Sequence, residues 1–284
     1  MTDVRPPAVA GQFYEGTETA LRDQLETCFT HRIGPGAPPD SSTGARSIHA
    51  GVVPHAGVPF SGPVAAHTYR ALAAHGVPET VVIIGPNHRG GGAPVAVAPN
   101  DAWRTPLGEV TIDKTLREAV IEHVGPAEAD PRPHAGEHSA EVQVPFLQYI
   151  ADEIRLLPIV LSRQSPVLAE TLGNGLTAAI DAIPRETVVL ASSDLTHYQP
   201  DAKAREADRP VLDAIEALDK KAIFEQKRAG HSMCGPGAIA AACVVAANHS
   251  VDTGEVHAYA TSADTAGDPD RVVGYSAATF APSE

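Results

Sequence analysis

Several of the thirteen histidines in this 284-residue chain stand where a short apolar run gives way to glycine or proline. Val52-Val53 leads into Pro54-His55-Ala56-Gly57, and residues 81–84 (VVII) lead into Gly85-Pro86-Asn87-His88-Arg89-Gly90. Residues 187–190 (TVVL) lead into Ala191-Ser192-Ser193-Asp194-Leu195-Thr196-His197-Tyr198. Imidazole titrates near neutral pH and is a common metal ligand, so these positions suit coordination or proton transfer. A lone histidine before glycine is ordinarily a loop residue bonded to backbone, and Asp194 could cap a turn at Thr196. The recurrence at three run ends argues instead for a shared site. In an open α/β sheet the carboxyl ends of parallel strands converge on one edge, where ligands bind. His55, His88, Asp194 and His197 are therefore expected in one crevice.

Two further segments could join them. Glu137-His138-Ser139-Ala140-Glu141 reads as the opening of a helix, with Ser139 as N-cap and His138 just before the first turn. Gly230-His231-Ser232-Met233-Cys234-Gly235-Pro236-Gly237 precedes an apolar helix over residues 238–247. Cys234 would feel the positive end of that helix, which favours thiolate. Gly235 and Gly237 would permit close backbone approach. Cys243 and Cys28 read as small core residues. Two imidazoles and one thiolate form a credible transition-metal set, and three protein ligands leave coordination positions open, as reactive sites require. CxxC, HExxH, Walker A and GxSxG are absent, and Gly90-Gly91-Gly92 lacks the lysine and helix of a phosphate loop.

These residues need a scaffold, and the apolar pattern supplies one. Strand-like runs fall at residues 48–53, 81–84, 154–161, 187–190 and 272–280. Helical periodicity falls between them, at 17–29, 64–74, 115–123, 167–183, 202–218 and 238–247. The alternation predicts an α/β fold: a single domain over residues 1–284, with a central largely parallel or mixed sheet and helices on both faces. Residues 34–44 (GPGAPPDSSTG) read as a mobile surface loop, and polar residues 125–137 as a loop running directly into the helix that carries His138.

Composition narrows the function classes. Lys+Arg 21 against Asp+Glu 35 gives a net charge of −14, without the basic cluster that nucleic acid demands, so no nucleic-acid partner is expected. A hydrophobic fraction of 43% excludes disorder. No run of 18 apolar residues and no signal-peptide pattern occurs, so no membrane association is expected. Three cysteines are too few and odd in number for a disulfide framework, which points to a reducing, cytoplasmic setting.

Over nearly its full length the chain resembles the Memo family, whose prokaryotic members are named AmmeMemoRadiSam system protein B. The resemblance is carried by RPPAVAGQFYEG, PHAG followed by FSGPVA, IIGPNHRG, and TPLGEV after Trp103-Arg104. It continues through EHSAEVQVPFLQ, LPIVL, ASSDLTHY, CGPGAI and TSADTAGDPDRVVGY. It implies a fold similar to class III extradiol dioxygenases, which are non-haem iron enzymes. By motif, His55 and His88 match the family's metal-binding histidines, and Cys234 stands where the dioxygenases have a carboxylate ligand. His138, Asp194 and His197 match polar residues of the same pocket. Val58 and Phe60 depart from the aromatic pattern PHAGYxYSG usual in relatives.

The resemblance implies Fe(II) or copper, with zinc chemically allowed, and association with AMMECR1-type and radical-SAM-type proteins. The first expectation is a dioxygenase-like redox protein of unassigned small-molecule substrate. His138 or His197 would be its acid or base, and Asp194 would orient His197 or a water. The alternatives are a non-catalytic metal- or peptide-binding protein and, third, a metal-assisted hydrolase.

Overall fold

The computed structural model describes residues 2–39 and 47–282, so the part of the expected mobile loop at residues 40–44 lies outside the described residues. From the N-terminus run β1 (Val4–Arg5), α1 (Glu18–Thr30), β2 (Ala50–Val53), α2 (Val58–His75) and β3 (Thr80–Pro86). Then come the short strands β4 (Val95–Val97), β5 (Ala102–Thr105) and β6 (Gly108–Ile112), followed by α3 (Lys114–His123), β7 (Ala127–Ala129) and α4 (Val144–Ile150). The second half holds β8 (Arg155–Leu161), α5 (Pro166–Asp181), β9 (Thr187–Ser192), β10 (His197–Gln199), α6 (Asp201–Glu216) and α7 (Lys220–Arg228). It closes with α8 (Pro236–Asn248), β11 (Gly254–Thr261) and β12 (Val272–Phe280).

The strands form one mixed sheet in the order β1-β5-β6-β8-β3-β9-β2-β12-β10, with β11 added to β12. Its centre, β8-β3-β9-β2, is parallel. These strands are covered on both faces, which is why VVII and TVVL read as continuous apolar runs rather than alternating ones. Antiparallel pairs β5/β6, β2/β12 and β11/β12 extend the sheet outward. Helices α2 and α8 both pack on β2, with α2 also on β11 and β12 and α8 also on β3 and β9. α1 and α4 join α2, whereas α5 and α7 join α8, and α3 packs on α5.

The register matters most for function. β9 pairs with β2 and β3 at once: Ser192 lies opposite Val53, and Ala191 opposite Ile84. The carboxyl ends of these three adjacent strands are therefore level, and the loops beginning at Pro54, Asn87 and Ser193 leave from one edge.

Local capping explains several boundaries. The Asp113 carboxylate accepts from the Leu116 amide at the start of α3, and Ser165 from Leu168 at the start of α5. The expected helix start at residues 139–141 is corrected. Ser139 is not an N-cap: its hydroxyl is buried and donates to Pro86 O at 2.9 Å. A single 3₁₀ turn at Glu141–Gln143 intervenes before α4, so His138 sits on a loop rather than against a helix.

Candidate metal centre

His55, two residues past β2, is buried, and its backbone amide donates to Asp194 Oδ1 at 2.7 Å. Its Nδ1 lies 2.8 Å from Ser192 Oγ and its Nε2 lies 3.1 Å from Cys234 Sγ. His88, two residues past β3, has its backbone N–H and its Nδ1 bound to the two oxygens of Glu137, at 2.6 and 2.9 Å. A carboxylate only accepts, so His88 Nδ1 carries the proton of this bond, and Nε2 is the ring nitrogen that Glu137 does not occupy. The His55 and His88 rings meet edge to face, 5.2 Å between centroids. Ligand atoms of His55, His88 and Cys234 all lie within 4.8 Å of one another, so the three could grip one ion.

Cys234 is brought there by a well-braced turn. Its amide donates to Asp194 O at 3.2 Å, and the Gly235 amide donates to Ser193 Oγ at 2.9 Å. Gln164 Nε2 donates to Cys234 O, while Gln164 Oε1 accepts from the Gly237 amide. The helix dipole does not decide the state of this thiol. Burial first, and the Asp194 charge second, push Cys234 well above the ordinary thiol range, although N–H donation from Asp194 opposes them. The expected thiolate is therefore corrected to a thiol, whose proton an incoming cation would displace.

His138 completes a trio of imidazoles. Its ring stacks on His88 at 4.6 Å, meets His55 edge-on at 5.4 Å and is backed by Phe13 at 4.6 Å. Burial lowers His138 to about 4 and holds His55 well below its usual value, so both rings are neutral near pH 7, as ligands or bases must be. His88, Glu137 and His138 form a second possible ligand group. Glu137 Oε1, however, already accepts from the His138 and Ser139 amides as well as from His88. Burial alone would raise the Glu137 carboxyl, but these donors bring it down to about 2. With its lone pairs committed, Glu137 aims His88 rather than ligating.

Asp194 and His197 lie beside this cluster, but the expected bond from Asp194 to His197 is not among their contacts. Oδ1 of Asp194 takes the His55 and Ala56 amides, and burial raises its carboxyl. His197 donates from Nδ1 to Leu195 O at 2.8 Å, and its amide donates to Ser232 Oγ. Leu195 and Ser232, not Asp194, therefore orient His197. Its charge state still bears on both His55 and Asp194.

Four contributors escape a reading confined to strand-end histidines: Glu137, Ser192, Asp208 and His231. Asp208 is fully buried, takes the Thr196 amide and hydroxyl on Oδ1, and accepts from His231 Nε2 at 2.8 Å. His231 Nδ1 in turn accepts from the Met233 amide, one residue before Cys234. A signal for Asp208 exists in the sequence: it occupies the apolar stripe of α6, with Ala204, Val211, Leu212 and Ile215.

The model of the family described as Memo-like protein matches residues 5–279. The chain belongs to this family. A MEMO1 family protein of Methanopyrus kandleri is 46% identical over 97% of this chain and 98% of its own length. One of Ignicoccus hospitalis is 44% identical, covering 98% of each chain. One of Methanothermobacter thermautotrophicus is 41% identical over 96% of this chain and 98% of its own. Among solved structures, an uncharacterized protein of Escherichia coli K12 shares the fold with a TM-score of 0.52 at 13% identity, over 81% of this chain and 99% of that one.

In this family member the approach of the Cys234 turn to β9 depends on a missing side chain. A Cβ on Gly235 would stand 2.8 Å from both Ser192 O and Ser193 Cβ. Gly235→Ala should therefore cost about 1–3 kcal/mol of stability by overpacking. It should also weaken ion binding by moving Cys234 off the His55 line. A thermal melt and a metal titration, run side by side, read both effects; unchanged binding would mean that the turn yields elsewhere.

Proposed function

We propose that the His55–His88–Cys234 group holds a redox-active transition ion, Fe(II) or copper, and that the protein performs dioxygenase-like redox chemistry. The observation carrying this reading is the convergence of two imidazoles and one sulfur, with every donor atom within 4.8 Å of the others. The donor chemistry fits such an ion: soft sulfur with borderline nitrogen suits iron and copper, and among the described residues the group has three members, which leaves coordination positions open. When bound, the ion would supply Lewis acidity and a one-electron couple.

The chain's own residues support that role. Glu137 orients His88, and neutral His138 can take a proton at its ring. His197, with Nδ1–H committed to Leu195, offers Nε2 as a base. Phe13 packs against the His138 ring, 4.6 Å between centroids, and adds an apolar contact to the cluster. Association with AMMECR1-type and radical-SAM-type proteins belongs to the same proposal, on the strength of the family resemblance.

The test is elemental analysis of protein isolated without oxygen, followed by Fe(II) or Cu(I) loading and oxygen-uptake assays across a panel of catechols. About one ion per chain, lost in His55→Ala, together with oxygen uptake, is the expected result. Tight binding without uptake would favour the non-catalytic reading, in which the same residues store or sense the ion. No binding at all would overturn both.

A further inference from the structure

Behind His55 lies a chain of hydrogen bonds whose direction is set at its far end. Tyr69, buried in α2, donates from its hydroxyl to Gln143 Oε1 at 2.6 Å. Burial holds its phenol well above the usual range, so it remains a donor. Gln143 Nε2 donates to Pro54 O at 2.8 Å, and a carbonyl can only accept, which fixes the amide's orientation. The second Nε2–H is then aimed at Ser192 Oγ, 3.0 Å away. Ser192 has one proton, and Ser139 O stands 2.6 Å from its oxygen. Two oxygens at that separation require the proton between them. Ser192 Oγ is left facing His55 Nδ1 as an acceptor, at 2.8 Å. Nδ1 must therefore be the protonated nitrogen.

From this network we infer that Ser192 is a positioning residue that commits His55 to the Nδ1–H form and keeps Nε2 bare toward Cys234. The inference deepens the proposed metal site and rests on that reading for its purpose, though not for its geometry. The opposite tautomer would set two lone pairs against each other at Ser192 and place an N–H where an ion would sit. Which nitrogen of a histidine ligates is commonly decided by the hydrogen bond made by the other. Glu137 does this for His88 with a charge, whereas Ser192 does it for His55 with a neutral hydroxyl whose polarity is borrowed from Gln143 and Tyr69.

The test is a long-range ¹H–¹⁵N correlation spectrum of the imidazoles in the metal-free protein, with the His55 signals assigned by their loss in His55→Gln. The expected pattern is a protonated Nδ1 and an unprotonated Nε2. Ser192→Ala should shift the ring toward the Nε2–H form and weaken Fe(II) or Cu(I) binding about 10–100-fold. Ser192→Thr, which keeps the hydroxyl, should restore both. A wild-type His55 protonated on Nε2, or a Ser192→Ala spectrum identical to wild type, overturns the inference even if an ion binds. The expected tautomers without ion binding would uphold it and overturn the metal reading instead.

Discussion

Cys234→Ser should lower the affinity for Fe(II) or Cu(I) by more than about 100-fold and abolish its pH dependence. Loss of a mere hydrogen-bond partner to a metal ligand typically carries 10–100-fold, and here the proposed ligand itself is lost. Sγ lies 3.1 Å from His55 Nε2 and accepts from the Asp194 amide at 3.2 Å, so a serine oxygen would reach the same partners but would not ionise. The sign of the pH effect follows from the thiol. Burial and the Asp194 charge keep Cys234 protonated through the neutral range, and coordination requires the thiolate. One proton therefore leaves for each ion bound, and affinity should rise about tenfold per pH unit. His55, also shifted down, holds no competing proton near pH 7. Chelator competition at pH 6.5, 7.5 and 8.5 measures it. A wild type with no slope, or a serine variant that keeps it, would remove Cys234 from the ligand set.

How much of this could be read beforehand varies with the physics of each element. β3, β8 and β9 are strands buried on both faces, so their apolar runs stand out, and the shared direction of β2, β3 and β9 puts His55, His88 and Asp194 on one edge. β5 and β6 are short, and β11 is mixed in polarity: in Gly254–Thr261 only the last two residues are buried, and no apolar face announces a strand. α7 buries only Ile223 and Phe224 among charged neighbours, which left it silent. Two local rules gave way to tertiary structure. Ser139 fits an N-cap pattern but spends its hydroxyl on Pro86, because the chain crosses the end of β3 there. Cys234 fits the dipole rule for an acidic thiol, yet desolvation outweighs a helix end. Glu137 was in view as a neighbour of His138, but its bonds to His88 link residues 49 apart, and no local pattern reports such a contact. His88 and Cys234 are legible from their places at a strand end and before a helix, and the Memo resemblance points to the same two residues.

Glu141→Gln should destabilise the protein by about 3–5 kcal/mol, the usual effect of stranding one member of a buried ion pair. Arg5 and Glu141 are almost wholly enclosed, and Nη1 meets Oε2 at 2.6 Å. Arg5 also donates to His134 O at 2.8 Å and to Glu137 O at 3.0 Å, and it lies 4.1 Å over the Trp103 ring. Glu141 in turn accepts from the Ala8 and Val9 amides and from the Tyr14 hydroxyl. The pair thus ties the N-terminal arm, which carries Phe13 onto His138, to the segment that carries Glu137. In an isolated pair, replacing both charges with apolar side chains is often neutral or stabilising. Here Arg5→Met with Glu141→Leu should remain destabilised, because two amides and a phenol would lose their acceptor together. Urea unfolding decides the point: the midpoint should fall in both the single and the double variant, with an unchanged slope. Recovery of wild-type stability in the double variant would reduce Glu141 to a simple counter-ion. A persistent deficit would identify it as the post on which the N-terminal wall of the proposed metal site is hung.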